Sequence, residues 1–281
     1  MQNPVKPRGR KSLAVVRLLI TLVLVGAAYA QNGQWELRVC ADPASLPFSS
    51  QDETGYENRI AEILADELGA TLSYDWHMFN PDLIDLRLYG GHCDVIMGVP
   101  DGYKGLITTI AYYRSPYVFV YRADRSYDIT SLDDPILHDL DIGLQGIGIP
   151  PHQALLARGL ADNITATFGQ TVGTPDHLKE LVEAVASGRV DVGLAWGPVA
   201  GYFAAKQPVK LDITPVTPEF EPPFINQIVP MTIGMRHGDE SLRDRLDIAI
   251  AKRWDDIQQV LRDYGVPLSP LPRPVLSLEG R

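Results

Sequence analysis

The sequence contains no recognisable catalytic or metal-binding motif. It has no G-x-S-x-G nucleophile motif, no H-E-x-x-H pair and no glycine-rich phosphate loop. Its six histidines are scattered, and in a strand His92, Cys93 and Asp94 would alternate between opposite faces rather than converge on a metal. We therefore expect a protein that is not an enzyme and holds no metal and no cofactor. Carboxylates that meet only in the folded chain leave an enzyme as the alternative.

The chain has fewer basic than acidic residues. The chain has 25 Lys and Arg against 35 Asp and Glu, a formal net charge of −10. Five of the basic residues and none of the acidic ones lie in the first 30 positions. Without that segment the chain has 20 basic and 35 acidic residues, a formal net charge of −15. This balance argues against nucleic acid or an anionic membrane surface as the partner.

Apolar runs long enough to span a membrane are absent. Leu18 to Ala27 follows a basic segment and precedes Ala28-Tyr29-Ala30, which has the pattern of a signal peptidase site. The run is about half of the ~20 residues that a spanning helix needs, although a membrane anchor is the alternative interpretation. Residues 1–30 are predicted to be a cleaved signal peptide, which places the mature chain in the periplasm without membrane insertion.

Cysteine is nearly absent, since only Cys40 and Cys93 occur. In an exported chain two cysteines favour a structural disulfide, and the alternative is two unpaired buried thiols. Closing a loop of this length would stabilise the fold by about 4 kcal/mol in the chain-entropy description.

One pattern is present twice. Residues 91–100 and 188–198 both place an Asp before a short apolar strand and end it in a turn with proline, and the second copy follows an amphipathic helix. Two such units predict two similar α/β lobes, with any ligand at the strand ends that face a common cleft.

The rest of the chain gives the limits of these lobes. The polar segment 122–128 and the proline-containing segment 217–223 are predicted to be hinge crossings. Lobe I then comprises residues 31–123 with 218–281, lobe II residues 124–217, and a Pro-rich tail residues 266–281, which we expect to be extended or disordered.

Several elements can be predicted individually. Helices are expected over Glu57–Leu68, over Pro81–Tyr89, from Pro150, after a cap at Thr174, and as one long helix from about residue 239 to Gly265. The prolines in 211–224 predict a return crossover and a loop at the cleft edge.

Aromatic and polar residues near the predicted strand ends are the candidate ligand contacts. Phe48, Tyr202 and Phe203 are more typical of core positions than of a ligand wall, and Asp94 and Asp191 are more typical of caps on local backbone N–H groups than of ligand contacts. Arg114 is equally consistent with an anion site and with a surface ion pair. The residues predicted to line the cleft are Asp42, Phe48, Tyr56, Asp101, Tyr103, Gln145 and Trp196.

A family resemblance adds to this interpretation. It rests on Leu37–Phe48, Gly55-Tyr56-Glu57-Asn58, Cys93–Pro100, Tyr112–Asp124, Ile129–Asp134 and Trp196–Phe203. In these segments the chain resembles the J proteins of methanol dehydrogenase operons (MxaJ/XoxJ type), which are similar to the solute-binding proteins of ABC importers.

The resemblance implies an α/β, two-lobed type II periplasmic binding protein fold, in which each lobe is a mixed, mostly parallel sheet flanked by helices and two crossings form the hinge. In that fold the first and third strands are parallel neighbours, which implies the pairing Cys40–Cys93. The implied role is to bind, and help to mature or activate, a periplasmic PQQ-dependent methanol or alcohol dehydrogenase. The alternative is delivery of a small organic solute to an ABC importer.

One departure from the amino-acid receptors of this fold bears on the ligand. They usually carry an Arg soon after the third strand, where it clamps a carboxylate. Here Asp101-Gly102-Tyr103 occupies that turn. We therefore expect a cleft without the paired charged clamp of an amino-acid receptor.

Overall fold

The computed structural model describes residue 1 and residues 35–78, 83–169, 177–222 and 225–275. The chain divides into two compact units, Met1–Trp35 and Glu36–Arg281, and the account below concerns the second. The predicted signal peptide and the predicted cap at Thr174 lie outside the described residues.

Short strands make up most of the regular structure. The strands are β1 (Glu36–Ala41), β2 (Ala44–Ser45), β3 (Ser49–Ser50), β4 (Thr71–Trp76), β5 (Val95–Pro100), β6 (Ile107–Thr108), β7 (Tyr113–Arg122), β8 (Ile142–Leu144), β9 (Ile164–Thr167), β10 (Val192–Trp196), β11 (Leu211–Pro215), β12 (Phe220–Glu221), β13 (Ile225–Asn226) and β14 (Ile228–Met235).

Six α-helices lie within the described residues. They are α1 (Tyr56–Leu68), α2 (Pro150–Ala157), α3 (Glu180–Ser187), α4 (Gly197–Ala204), α5 (Glu240–Lys252) and α6 (Trp254–Asp263). A π-helical turn covers Leu83–Leu88, within the segment predicted to be helical, and short 3₁₀ turns occur elsewhere.

Helix α1 shows how local sequence sets these limits. The side chain of Asn58 accepts a hydrogen bond from the backbone N–H of Gly55 at 3.1 Å, which satisfies a donor at the helix start. Gly69 ends the helix in the left-handed conformation, with φ 64°. Between them Ile60, Ala61 and Leu64 form a buried face. The predicted helix over Glu57–Leu68 is therefore confirmed.

The strands join into one ten-stranded mixed sheet. Its order is β4-β1-β5-β14-β7-β10-β8-β9, with β11 also paired to β7 and β6 to β14. β1 runs parallel to β4 and β5 in one half, and β8 runs parallel to β10 and β9 in the other. The two parallel sets correspond to the two copies of the repeated pattern, whose strands are β5 and β10.

Strand β7 belongs to both halves of the sheet. Its first part, Tyr113–Pro116, pairs with β14, and its second part, from Tyr117, pairs antiparallel with β10. The same second part pairs with β11 along its other edge. The backbone thus passes between the halves as an uninterrupted strand, whereas the lobe limits given above stay a prediction.

Separate apolar clusters lie beside the two halves of the sheet. One contains Cys40, Cys93 and Ile96, next to β1 and β5. Two others flank β8 and β10, built around Phe119 and Leu194 on one face and around Val120 and Leu181 on the other.

The disulfide Cys40–Cys93 is present, with the two Cα atoms 5.4 Å apart. It links β1 to the turn that precedes β5, and those two strands are parallel neighbours as the resemblance implied. Cys40 is 3% exposed and Cys93 is fully buried, so the bond is shielded from solvent.

Two predictions of local structure need correction. Residues 211–215 are not part of a loop but form β11, because Leu211 and Ile213 pack on the core and Pro215 stands at the strand end. The long C-terminal helix is broken at Arg253, which leaves helical geometry (φ −95°, ψ 19°), and both resulting helices pack on α1.

The Pro-rich tail has contacts that the sequence did not reveal. Residues 266–275 form no helix or strand, yet they are held against β7 rather than free. The Ser115 hydroxyl donates to the carbonyl of Pro267 at 2.6 Å. The backbone N–H of Ser269 donates to the backbone carbonyl of Arg114 at 2.9 Å. Val266 is buried.

Among the described residues, the structure has no helix that is both long and apolar enough to cross a membrane.

Candidate functional site

Two adjoining cavities lie where β1, β5 and β10 end. The larger has a volume of about 310 Å³ and the smaller about 300 Å³. Gly98, Trp196 and Met231 line both, so the two cavities are direct neighbours. Ligand sites of open α/β sheets occur at strand ends of this kind. We refer to the two cavities together as the cleft.

Trp196 is the aromatic wall shared by the two cavities. It ends β10 and immediately precedes α4, so the turn into the helix fixes its backbone. Its backbone N–H donates to the side-chain oxygen of Gln145 at 2.7 Å, and its ring lies 5.1 Å from that of Tyr117. Gln145 therefore lines the smaller cavity with its side-chain oxygen already engaged.

Phe48 and Asp42 line the larger cavity from the loop after β1. A small hairpin of β2 and β3 holds this loop, and Asp42 accepts a hydrogen bond from the backbone N–H of Ala44 at 2.8 Å. Phe48 packs edge-on against Tyr56 with ring centroids 5.6 Å apart. The ring of Phe48 is thus partly core and partly cavity wall.

The other three predicted contacts lie elsewhere. Tyr56 is fully buried, and its hydroxyl is 2.8 Å from that of Tyr113, so it belongs to the core. Asp101 and Tyr103 lie on the exposed turn after β5 and are not among the described residues that line either cavity. Of the seven predicted residues, the structure brings together Asp42, Phe48, Gln145 and Trp196.

Glu57 is a lining residue that the sequence did not reveal. It occupies the first turn of α1 and lines the larger cavity, and burial raises the pKa of its carboxyl group to about 8. An acidic residue in a first turn is ordinarily a solvated partner of the helix dipole, so its position suggested a surface role. The sequence predicts its neighbour Tyr56 as the cleft-lining residue instead.

Gly98 makes room for this carboxyl group. It has φ +64°, and a Cβ atom at this position would collide with Oε1 of Glu57. The backbone conformation at Gly98 therefore favours glycine, and its lack of a side chain leaves the carboxyl group of Glu57 in place.

The repeated aspartates hold the sheet together rather than the ligand site. Asp94 accepts a hydrogen bond from the backbone N–H of Arg38 at 3.2 Å, and Asp191 accepts one from that of Asp141 at 3.0 Å. Both donors stand at the start of a neighbouring parallel strand. The two aspartates do accept from backbone N–H groups, but these belong to residues 56 and 50 positions away, so the expectation of local capping needs correction.

Asp94 has a further role that its counterpart lacks. It forms ion pairs with Arg38 at 2.6 Å and with Arg236 at 3.3 Å. Burial opposes ionisation of this carboxyl group, but the hydrogen bonds from Arg38 outweigh it and lower the pKa of Asp94. Arg236 lies far away in sequence, and no local pattern identified it.

Arg114 contacts the tail. Its guanidinium donates to the carbonyl of Pro270 at 3.3 Å. It is therefore part of the attachment of residues 266–275, and it lines neither cavity among the described residues.

One group of potential metal ligands occurs in the described part of the chain. Single ligand atoms of Cys40, Asp75 and Cys93 lie within 4.8 Å of one another. The disulfide occupies both sulfur atoms, and Asp75 pairs with Arg87. In its oxidised form this group offers no thiolate, the form of cysteine that binds metals.

Relatives of known name cover most of the chain. Protein MoxJ of Methylorubrum extorquens is 32% identical over 248 residues, which is 84% of this chain and 82% of MoxJ. Protein MoxJ of Paracoccus denitrificans is 30% identical over 83% of this chain and 89% of its own. No model of a known protein family matches the sequence.

Solved structures agree with these relatives. MxaJ from Methlophaga aminisulfidivorans has a TM-score of 0.76 at 29% identity, covering 83% of this chain and all of that one. The periplasmic binding protein XoxJ from Methylobacterium extorquens has a TM-score of 0.69 at 33% identity, covering 84% of this chain and all of that one. An ancestral cationic amino acid solute-binding protein, at 22% identity and a TM-score of 0.64, shares the fold alone.

Proposed function

This chain belongs to the family of MoxJ, MxaJ and XoxJ, and from that premise we propose that it binds a PQQ-dependent methanol or alcohol dehydrogenase and helps to mature or activate it. The family and the fold make it a binding protein associated with methanol oxidation. The observation that carries the proposal is the relationship to MoxJ over more than four-fifths of the chain.

The cleft supports an adapted role over amino-acid transport. No described residue lining either cavity is Lys, Arg or His, so the cleft offers no cation to a ligand carboxylate. An amino-acid receptor needs such a partner, because an unpaired buried carboxylate is costly. We propose that the cleft does not serve amino-acid import.

The location follows from the same relationship. XoxJ is a periplasmic binding protein, and the dehydrogenase partner that we propose is periplasmic. We propose that residues 1–30 are removed during export, so that the mature chain begins at Gln31. The mass of the protein purified from the periplasm tests this directly.

The decisive experiment measures dehydrogenase activity in cells with and without this protein. A strain lacking the gene is expected to accumulate dehydrogenase of low specific activity, and the full chain supplied in trans should restore it. Affinity-tagged protein from the periplasm should also retain the dehydrogenase. Unchanged specific activity together with no retained dehydrogenase would contradict the proposal.

The cleft also favours a second candidate, delivery of a small solute to an importer. Its volume of about 310 Å³ and its aromatic walls are typical of small-molecule sites. Thermal unfolding with each common amino acid separates the candidates. We expect no shift, and a saturable stabilisation that is lost in Trp196→Ala would favour transport instead.

A further inference from the structure

Acidic side chains are the charged groups that the described lining of the larger cavity offers. Both Asp42 and Glu57 line it, and no basic residue occurs among the described residues that line either cavity. An anionic ligand would meet carboxyl groups and find no donor cation. A cationic group on the ligand is the electrostatic match.

Glu57 lacks an internal partner. Its side chain makes no hydrogen bond or ion pair with any described residue, and desolvation is the cause of its altered titration. Its Oε1 stands directly over Gly98, a residue that lines both cavities. Polar groups withdrawn from bulk solvent normally have partners, and this half-buried carboxyl group on the cavity wall has none among the described residues, so it is placed to receive a ligand group.

The rest of the larger cavity is mostly apolar. Phe48, Ile96, Met97, Leu178 and Trp196 contribute hydrocarbon and aromatic surface to it. Such walls suit a ligand body without further charges, and aromatic rings also attract cations. The smaller cavity adds Tyr117 and Val229.

From this geometry we propose that the cleft binds an alkyl- or arylammonium group on an apolar body, with the ammonium paired to the carboxylate of Glu57. The ligand carries no carboxylate, which separates it from amino acids. The ammonium could belong to a free primary amine or to a lysine side chain, and the experiment below distinguishes them. The inference goes beyond the proposed function, because it requires no dehydrogenase.

Binding should release a proton. The carboxyl of Glu57 is largely protonated at pH 7 because burial raises its pKa to about 8, and an ammonium group favours the ionised form. Affinity should therefore rise about tenfold from pH 6 to pH 7, rise further to pH 8 and level off above that.

The tyrosines around Glu57 do not share this window. Tyr56, Tyr112 and Tyr113 interact with its charge, and burial raises the pKa of each tyrosine well above 10. Asp42 is the other carboxyl group on the cavity wall. The pH dependence of binding between pH 6 and 8 thus reports Glu57.

The experiment is calorimetric titration of the purified chain, without dehydrogenase, with three matched probes. 2-Phenylethylamine should bind saturably, whereas phenylalanine adds a carboxylate and 2-phenylethanol removes the charge, and both should bind at least tenfold more weakly. Titrations in two buffers of different ionisation enthalpy should reveal the released proton. Lysine blocked at both ends tests a protein side chain as the source.

Two variants identify the residue. Glu57→Gln keeps the shape and should weaken 2-phenylethylamine binding at least tenfold at pH 8 and remove its pH dependence. Glu62→Gln removes an exposed charge of the same helix. It should leave the affinity for 2-phenylethylamine and the pH dependence of that affinity unchanged.

Binding of the blocked lysine alone would assign the ammonium to a protein side chain. No binding of either amine at pH 8, or equal binding by the wild type and a folded Glu57→Gln variant, would overturn the proposal.

Discussion

At the scale of single residues, the least expected feature is a half-buried carboxyl group that has no partner among the described residues. Glu57 lies in a helical first turn, two positions after Gly55, and nothing in that pattern distinguishes it from a solvated residue. Phe48 and Trp196 could be predicted because aromatic residues at strand ends often face clefts. Glu57 could not, since its burial depends on how Gly98 from another strand approaches the helix.

The first prediction concerns Glu57 and pH. Because the folded chain raises the pKa of this group, folding holds its proton between about pH 4.5 and 8, and stability should fall as pH rises through that range. The slope contributed by one fully linked group is at most about 1.4 kcal/mol per pH unit.

Urea unfolding of the wild type and Glu57→Gln at pH 5, 6, 7 and 8 measures this effect. The free energy of unfolding of the variant, relative to that of the wild type, should increase as pH rises and stay constant above pH 8. A stability difference that does not change with pH would contradict the raised pKa.

The second prediction compares the two repeated aspartates. Asp94→Ala should destabilise the fold by about 3 kcal/mol, because it leaves the half-buried guanidinium of Arg236 without this partner as well as removing the bond to Arg38. Asp191→Ala removes capping hydrogen bonds without an ion pair and should cost about 1 kcal/mol. Equal losses in denaturant unfolding would show that the ion pairs add nothing.

At the scale of elements, helix α4 meets the C-terminal end of α6 backbone to backbone. A Cβ atom on Gly201 would collide with the carbonyl oxygen of Gly265, and Tyr202 stacks on Tyr264 at 5.9 Å with the rings 14° apart. The sequence predicted neither this short helix nor the backbone that lies against its glycine. Such contacts join residues remote in sequence, so local patterns cannot reveal them.

The third prediction tests this contact by the sign of the stability change that Gly201→Ala causes. In an ordinary helix Gly→Ala stabilises by about 1 kcal/mol through helix propensity. At Gly201 the collision with Gly265 should reverse the sign and destabilise the protein by about 2 kcal/mol or more. Thermal unfolding of Gly201→Ala decides it, and a raised Tm would show that the two backbones separate freely.

Element limits divide into those set locally and those set by packing. The ends of α1 could be predicted because Gly55 and Gly69 act on their own turns. The break at Arg253 could not, because its guanidinium contacts Asp66 on α1 at 3.0 Å and the break directs Trp254 into the core. Likewise, β11 forms because the second part of β7 has an edge open to pairing. This pairing outweighs the preference for a loop that the prolines indicate.

At the scale of the whole molecule, the family and the fold could be predicted from the sequence, whereas the joining of the halves could not. The repeated pattern gave two parallel strand sets, and both are present. Their merging through β7 into one sheet depends on β14 returning late in the chain. The position of the tail depends in turn on Ser115 and Arg114, both on β7.

The fourth prediction concerns that tail. Ending the chain after Gly265 removes buried Val266 and the hydrogen bonds to β7, and should lower Tm by roughly 5–10 °C, on the scale of 2–4 °C per kcal/mol for a domain of this size. Arg273→Ala removes an exposed ion pair with Asp255 and an exposed hydrogen bond to the carbonyl of Ala251, and should change stability by less than about 1 kcal/mol. An unchanged Tm in the truncated chain would show that the tail is dispensable.

The sheet order has a consequence for the sequence of events during synthesis. β14 lies between β5 and β7, although more than a hundred residues separate it from either along the chain. While a ribosome is still making residues 123–227, both neighbouring strands present unpaired edges, and such edges template aggregation. The first half of the chain thus has no finished fold of its own to adopt early, and its sheet can close only when the last fifth of the protein has emerged.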